Sequence, residues 1–189
     1  MNEKTRWISN NGFLKGGLLC ILLMFLCAGC ASTPGKFDPN IKGPQMFPEP
    51  MTVCLAVSTV TGTPMVFKGK GFQPGDSVFV ELLGVQKAGK EVKVPIADAD
   101  VAANGEFVAK VSTLVKVTEL LRAKLGSNKE METTIIVTQP TIPPGVYVAQ
   151  AVSMDSDITA KCKWNLEPPS CWGKFKDWMG GLMGKIIKK

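Results

Sequence analysis

The chain has no histidine among its 189 residues. That removes the imidazole relays of serine and cysteine hydrolases, and zinc or haem sites held by His. The reactive side chains left are six cysteines: Cys20, Cys27, Cys30, Cys54, Cys162 and Cys171. With no imidazole to take its proton, none is set up as a catalytic nucleophile. The chain is therefore expected not to be an enzyme. Carboxylates gather at one turn, Asp98, Asp100 and Glu106 beside Asn104. A calcium loop needs several converging oxygens. The EF-hand spacing fails here because its third ligand position falls on Ala102. The cluster reads as a solvated hairpin rim, and Asp155 and Asp157 flank a second turn. No metal and no cofactor are expected, beyond a covalent lipid argued below.

The feature with most chemistry is the C-terminal tail, residues 172–189. At 100° per residue, Trp172, Phe175, Trp178, Met179, Leu182, Met183, Ile186 and Ile187 fill one half of a helix. Lys174, Asp177, Lys185 and Lys188 lie on the other half, with Gly173, Gly180, Gly181 and Gly184 mostly among them. Aromatics on an apolar face and Lys on the polar face describe a helix lying in a membrane interface. Each of the four Gly costs about 1 kcal/mol against Ala. The tail is thus expected to be poorly helical in water and to fold on a surface. That surface is an anionic membrane, a groove on a partner protein, or the protein's own body.

Charge supports the membrane reading. Lys4, Arg6 and Lys15 outweigh Glu3 at the N-terminus, and Lys174, Lys176, Lys185, Lys188 and Lys189 outweigh Asp177 at the C-terminus. Acidic and basic residues balance between them, so the net +6 sits at the two ends. A basic stripe across the body would mark a nucleic-acid binder. There is none, and no nucleic-acid partner is expected.

At the N-terminus, residues 16–28 (GGLLCILLMFLCA) are apolar. The run is shorter than the roughly 20 residues a helix needs to span a bilayer, and matches the apolar core of an export signal. The string Leu26-Cys27-Ala28-Gly29-Cys30 resembles the lipobox of bacterial lipoproteins. Cys27 stands where that pattern usually has Leu. The resemblance implies cleavage before Cys30 and a lipid on its sulfur, with residues 1–29 as the signal peptide. Ala31-Ser32 after the Cys, rather than Asp, implies the outer membrane of a Gram-negative cell envelope. Two or three acyl chains (palmitate among them) hold a protein stably where one does not.

Residues 30–50 follow as lipidated Cys and Pro-rich tether, with Pro34, Pro39, Pro44, Pro48 and Pro50. Such a stretch forms neither helix nor central strand. Phe37, Met46 and Phe47 would let part of it pack as an irregular edge. From residue 51 the apolar period becomes two. Strands are expected at 53–57, 66–67, 77–83, 91–96, 106–111, 133–138, 146–152 and 158–166. Turn signals at Pro74-Gly75, Gly89, Asn104-Gly105 and Pro144-Gly145 separate them. One stretch differs. Leu114, Val117, Leu121 and Leu125 have helical spacing, with Thr113 and Gly126 as caps, which predicts a short inserted helix.

Three short motifs then occur in order. Gly69-Lys70-Gly71-Phe72-Gln73-Pro74-Gly75-Asp76-Ser77-Val78, Asn104-Gly105-Glu106-Phe107 and Pro144-Gly145-Val146-Tyr147 resemble the pattern of IPT/TIG-like bacterial Ig-like domains. The resemblance implies an all-β, Ig-like antiparallel β-sandwich over residues 51–168, into which the short helix read from its spacing is inserted and which the basic amphipathic tail at 169–189 follows. It says little about function, since such sandwiches host many roles. Phe72 would plug the end of the core. Exported proteins form disulfides. Cys162–Cys171 is the favoured pair, through a fold-back at Pro168-Pro169, and Cys54–Cys162 the alternative. The functional expectation is a non-catalytic envelope lipoprotein, a membrane-anchored binding or structural module. The alternative is an accessory subunit of an envelope complex whose tail docks into a partner protein.

Overall fold

Alternation of apolar and polar residues dictates most of what the chain becomes. In β4 (Ser77–Lys87) the buried side chains are Val78, Val80, Leu82 and Val85. The step from Leu82 to Val85 breaks the period of two. A bulge lies there, and Gly84 takes φ +77°. The extra residue turns Val85 back to the core face. β5 (Lys90–Asp100) returns antiparallel through a tight hairpin in which Lys87 faces Lys90 and Gly89 has φ +76°.

The computed structural model describes residues 35–87, 89–128 and 131–188. They belong to one compact unit, Ser32–Lys189. The expected signal peptide and the lipidation site at Cys30 lie outside the described residues. Besides β4 and β5, the strands are β1 (Gln45–Glu49), β2 (Thr52–Cys54), β3 (Val66–Lys70), β6 (Glu106–Lys110), β7 (Ala123–Ser127), β8 (Thr133–Val137), β9 (Gly145–Ser153), β10 (Thr159–Glu167) and β11 (Ile186–Lys188). The helices are α1 (Val57–Gly62), α2 (Thr113–Val115), which runs into a π turn at Lys116–Leu120, and α3 (Cys171–Leu182). The protein is mostly β. Its sheets run β1-β3-β6, β2-β10-β9-β4-β5 and β11-β8-β7. Pairing is antiparallel except for β2 with β10 and β8 with β11.

The core lies between these sheets. Trp164 of β10 and Phe67 of β3 are fully buried and meet edge to face at 5.3 Å. Trp164 Nε1 donates to the Pro50 carbonyl at 3.1 Å. Phe72 is buried against Phe107, with ring centroids 5.0 Å apart, and closes one end of the core. Gly105 makes that closure possible. Its φ is +75°, and a Cβ there would sit 2.8 Å from the Phe72 carbonyl.

Three expectations about elements are corrected. Part of the Pro-rich stretch is a true strand, β1, antiparallel to β3. It is an edge strand, so Pro48 forfeits no necessary hydrogen bond. The first body strand ends at Cys54, and Val57 begins α1. The inserted helix stops early. Ser112 rather than Thr113 caps it, accepting from Val115 N at 3.3 Å. Leu114 and Leu125 are exposed, whereas Val117 and Leu121 are buried. Arg122, at φ +50°, leaves the helical region, and the chain continues as β7.

Candidate functional site: the C-terminal helix and its exposed face

Pro168-Pro169 ends β10, and Ser170 starts α3 by accepting from Gly173 N at 3.0 Å. Side-chain capping of this kind contributes about 1 kcal/mol. The helix docks on the body through its glycine face. Gly173 and Gly180 are buried. A Cβ on Gly173 would meet Ala56 Cβ at 2.6 Å, and one on Gly180 would meet Ile186 Cδ1 at 2.7 Å. Between them on the same face stands Asp177. Its two carboxylate oxygens accept from Val57 N and Ser58 N, each at 2.8 Å. The residue ahead of α1 is Ala56, which offers no side-chain cap. Asp177 supplies that cap from a distant part of the chain, its negative charge meeting the positive end of α1.

The end of α3 is equally defined. Gly184 has φ +70°, its N–H donates to Gly181 O at 3.1 Å, and Lys185 N donates to Gly180 O at 2.9 Å. This is a Schellman ending. It directs the chain into β11, which pairs parallel with β8 and buries Ile186.

Docking by glycines leaves the apolar half of α3 outward. Trp172, Phe175, Trp178, Met179, Leu182 and Met183 are all exposed, Trp178 at 60% and Leu182 at 70%. Trp172 and Phe175 stack at 5.5 Å, and Phe175 lies 5.9 Å from Trp178. Lys176 Nζ sits 5.4 Å over the Trp172 ring. Lys174, Lys185 and Lys188 are exposed around this face. Of the apolar residues assigned to the tail's contact face, Ile186 alone turns inward, and Ile187 stays exposed. The expected apolar face seeks a surface. The structure has that face open while the opposite face holds the protein's own body.

No protein-family profile matches the chain, and no curated protein is similar to it. Among solved structures, a β-glucosidase from Listeria innocua in complex with glucose is similar over 76% of this chain, at 11% identity and a TM-score of 0.34. The match spans about a fifth (19%) of that enzyme's chain. A likeness this distant carries no argument about activity.

The cysteines depart from expectation. Cys162 and Cys171 are both free thiols. Cys162 lies within β10 opposite Ala149, and burial pushes its thiol up to about 12. Cys171 is exposed at the start of α3. Both being free, they form no Cys162–Cys171 bridge. Because Cys162 is free, the alternative Cys54–Cys162 bridge does not form either.

The carboxylates of the acidic turn serve local structure. Asp100 accepts from the Ser77 hydroxyl at 3.0 Å, and Asn104 bonds Glu106 at 2.9 Å. The carboxylate with a larger role is Asp76, whose neighbours in sequence mark only a turn. Asp76 is buried and accepts from Ser153 Oγ, Ser156 Oγ (2.8 Å), Ser77 N (2.7 Å) and Asp155 N (3.2 Å). It ties the start of β4 to the turn after β9. The Ser153 hydrogen bond chiefly, helped by Ser156 and the two amides and opposed by burial, holds its pKa down at about 2, against an ordinary 3.8. Between these values the unfolded chain binds more protons than the folded one. Stability from this group is therefore whole above pH 3.8 and is lost as the pH falls towards 2. Melting temperatures of the natural chain and of Asp76→Asn, followed from neutral to acid, should converge over that range. Curves that stay parallel would refute the assignment.

Proposed function

We propose that this protein is a non-catalytic cell-envelope lipoprotein. An Ig-like sandwich is tethered through a lipid on Cys30, in the outer membrane of a Gram-negative bacterium, and α3 lies on a membrane surface. The observation that carries this reading is the outward apolar face of a docked helix. Fully removing a Trp, Phe or Leu side chain from water contributes about 1.5–3 kcal/mol. A lysine near an anionic surface contributes about 1 kcal/mol. The aromatic term therefore dominates, and the lysines select the lipid charge. The glycine face supports the same reading, because docking by glycine lets the body hold the helix without using its aromatic side chains.

The test has two arms. The intact mass of the membrane-extracted chain reads the state of Cys30. A mass lacking lipid would end the lipoprotein reading. In the second arm, the chain from residue 31 onward is sedimented with phosphatidylglycerol vesicles, beside the variant Trp172→Ser/Phe175→Ser/Trp178→Ser. All three residues are exposed, so the fold should survive. The natural chain is expected to pellet, less at high salt but not to zero, and the variant to stay in solution. Equal pelleting of the two would show that α3 is not the contact.

A further inference from the structure

A second feature lies away from α3, where the π turn meets β7. A cleft of about 390 Å³ is lined by Lys87, Thr118, Arg122, Lys124, Thr138 and Gln139. Three cations thus face one cavity. Lys87 is paired with Glu119 at 2.6 Å, which cancels one charge. Arg122 gives one guanidinium nitrogen to the Gln86 carbonyl at 2.5 Å, a neutral acceptor that leaves its charge uncompensated. Lys124 is exposed and makes no ion pair among the described residues. The cleft therefore holds an excess of two positive charges. The Thr138 hydroxyl and Gln139 amide make no hydrogen bond among the described residues and add neutral donors.

The backbone holds Arg122 in place at a cost. A π turn and a non-glycine residue in the left-handed region are each uncommon, and such features persist where the surroundings enforce them. Here Leu121 N closes the π turn on Lys116 O at 3.1 Å. Lys116, itself buried, donates from Nζ to the Thr63 carbonyl at 2.6 Å. Leu120, Leu121 and Ala123 are buried on either side of Arg122. The segment is clamped, and between the buried Leu121 and Ala123 only the Arg122 side chain reaches out to the cleft.

We infer that this cleft binds a phosphomonoester dianion. A planar guanidinium fork and a nearby ammonium match the geometry and the double charge of that group better than they match a single carboxylate. The phosphate can come from a soluble ester or from a lipid headgroup, and the experiment separates these sources.

The full chain in neutral detergent micelles is titrated calorimetrically with glycerol 1-phosphate and, separately, with phosphatidic acid dissolved in the same micelles. The triple serine variant of α3 serves as background, so that the result does not depend on the membrane reading. Saturable binding of at least one ligand is expected. Lys124→Gln and Arg122→Asn should each weaken it about tenfold. Asn is chosen at 122 because it tolerates the left-handed backbone, and position 124 is exposed, so its variant keeps the fold. Binding of the soluble ester assigns a free ligand, and binding of phosphatidic acid alone assigns a headgroup. No saturable binding of either, or affinities that neither substitution changes, overturns the inference.

Discussion

Trp164→Ala is expected to lower the unfolding free energy by about 3–5 kcal/mol, the range for emptying a buried aromatic site. Trp164 is 1% exposed on β10, the second strand of the five-stranded sheet. Its ring joins that sheet to Phe67 of the β1-β3-β6 sheet. Alanine removes this contact, leaves a cavity, and strips the Pro50 carbonyl of its indole donor. Trp164→Phe keeps much of the volume and loses the hydrogen bond, and should cost less. Urea denaturation reads both. The midpoint should fall while the slope stays unchanged, since the surface exposed on unfolding is nearly the same. A loss for Trp164→Ala of under about 1 kcal/mol would mean the site collapses around the change, and the account of the core would be wrong.

Asp177→Ala is expected to have the second-largest effect, confined to the tail and α1. Hydrogen bonds to a charged group contribute about 1.5–3 kcal/mol each. The carboxylate makes two, to Val57 N and Ser58 N. With Ala56 ahead of them, these amides have no local substitute. Amide hydrogen exchange reads the outcome. Protection should drop at Lys185, which donates to Gly180 O, and at Ile135, which donates to Lys185 O. Amides of β4 and β9 should keep theirs. Asp177→Asn retains one acceptor and should fall between. Unchanged protection at Ile135 would show that β11 holds without α3.

Much of the strand order was legible because one-sided burial writes itself into the sequence as a period of two. The strands near 77–83, 91–96, 106–111 and 146–152 each contain or lie within an observed strand. What escaped has physical causes. β1 contains Pro48, and exclusion of proline holds for a paired interior strand, not for an edge. The π turn and β7 share a stretch whose leucines suit a helix. Arg122 at φ +50° is decided by tertiary packing that local propensity does not carry. In the tail, the helical wheel grouped the apolar residues from Trp172 to Leu182 correctly, but the helix ends at Leu182, and Ile186 and Ile187 belong to β11, where Ile186 is buried. Which half would be buried was not legible, because apolarity argued for one side and close approach of glycine for the other. Asp76 lay inside a recognised turn motif, but its partners Ser153 and Ser156 are far along the chain.

The capping of α1 by Asp177 also sets an order of events. The N-terminal part of the body waits for the last part of the chain. β2 pairs with β10 over Asn165–Glu167, and α1 is capped only by residue 177. Contacts this distant in sequence form late and slowly. A chain emerging from the ribosome therefore cannot close its fold until nearly all of it has been made. Until then β2 and α1 lack the partners that complete them.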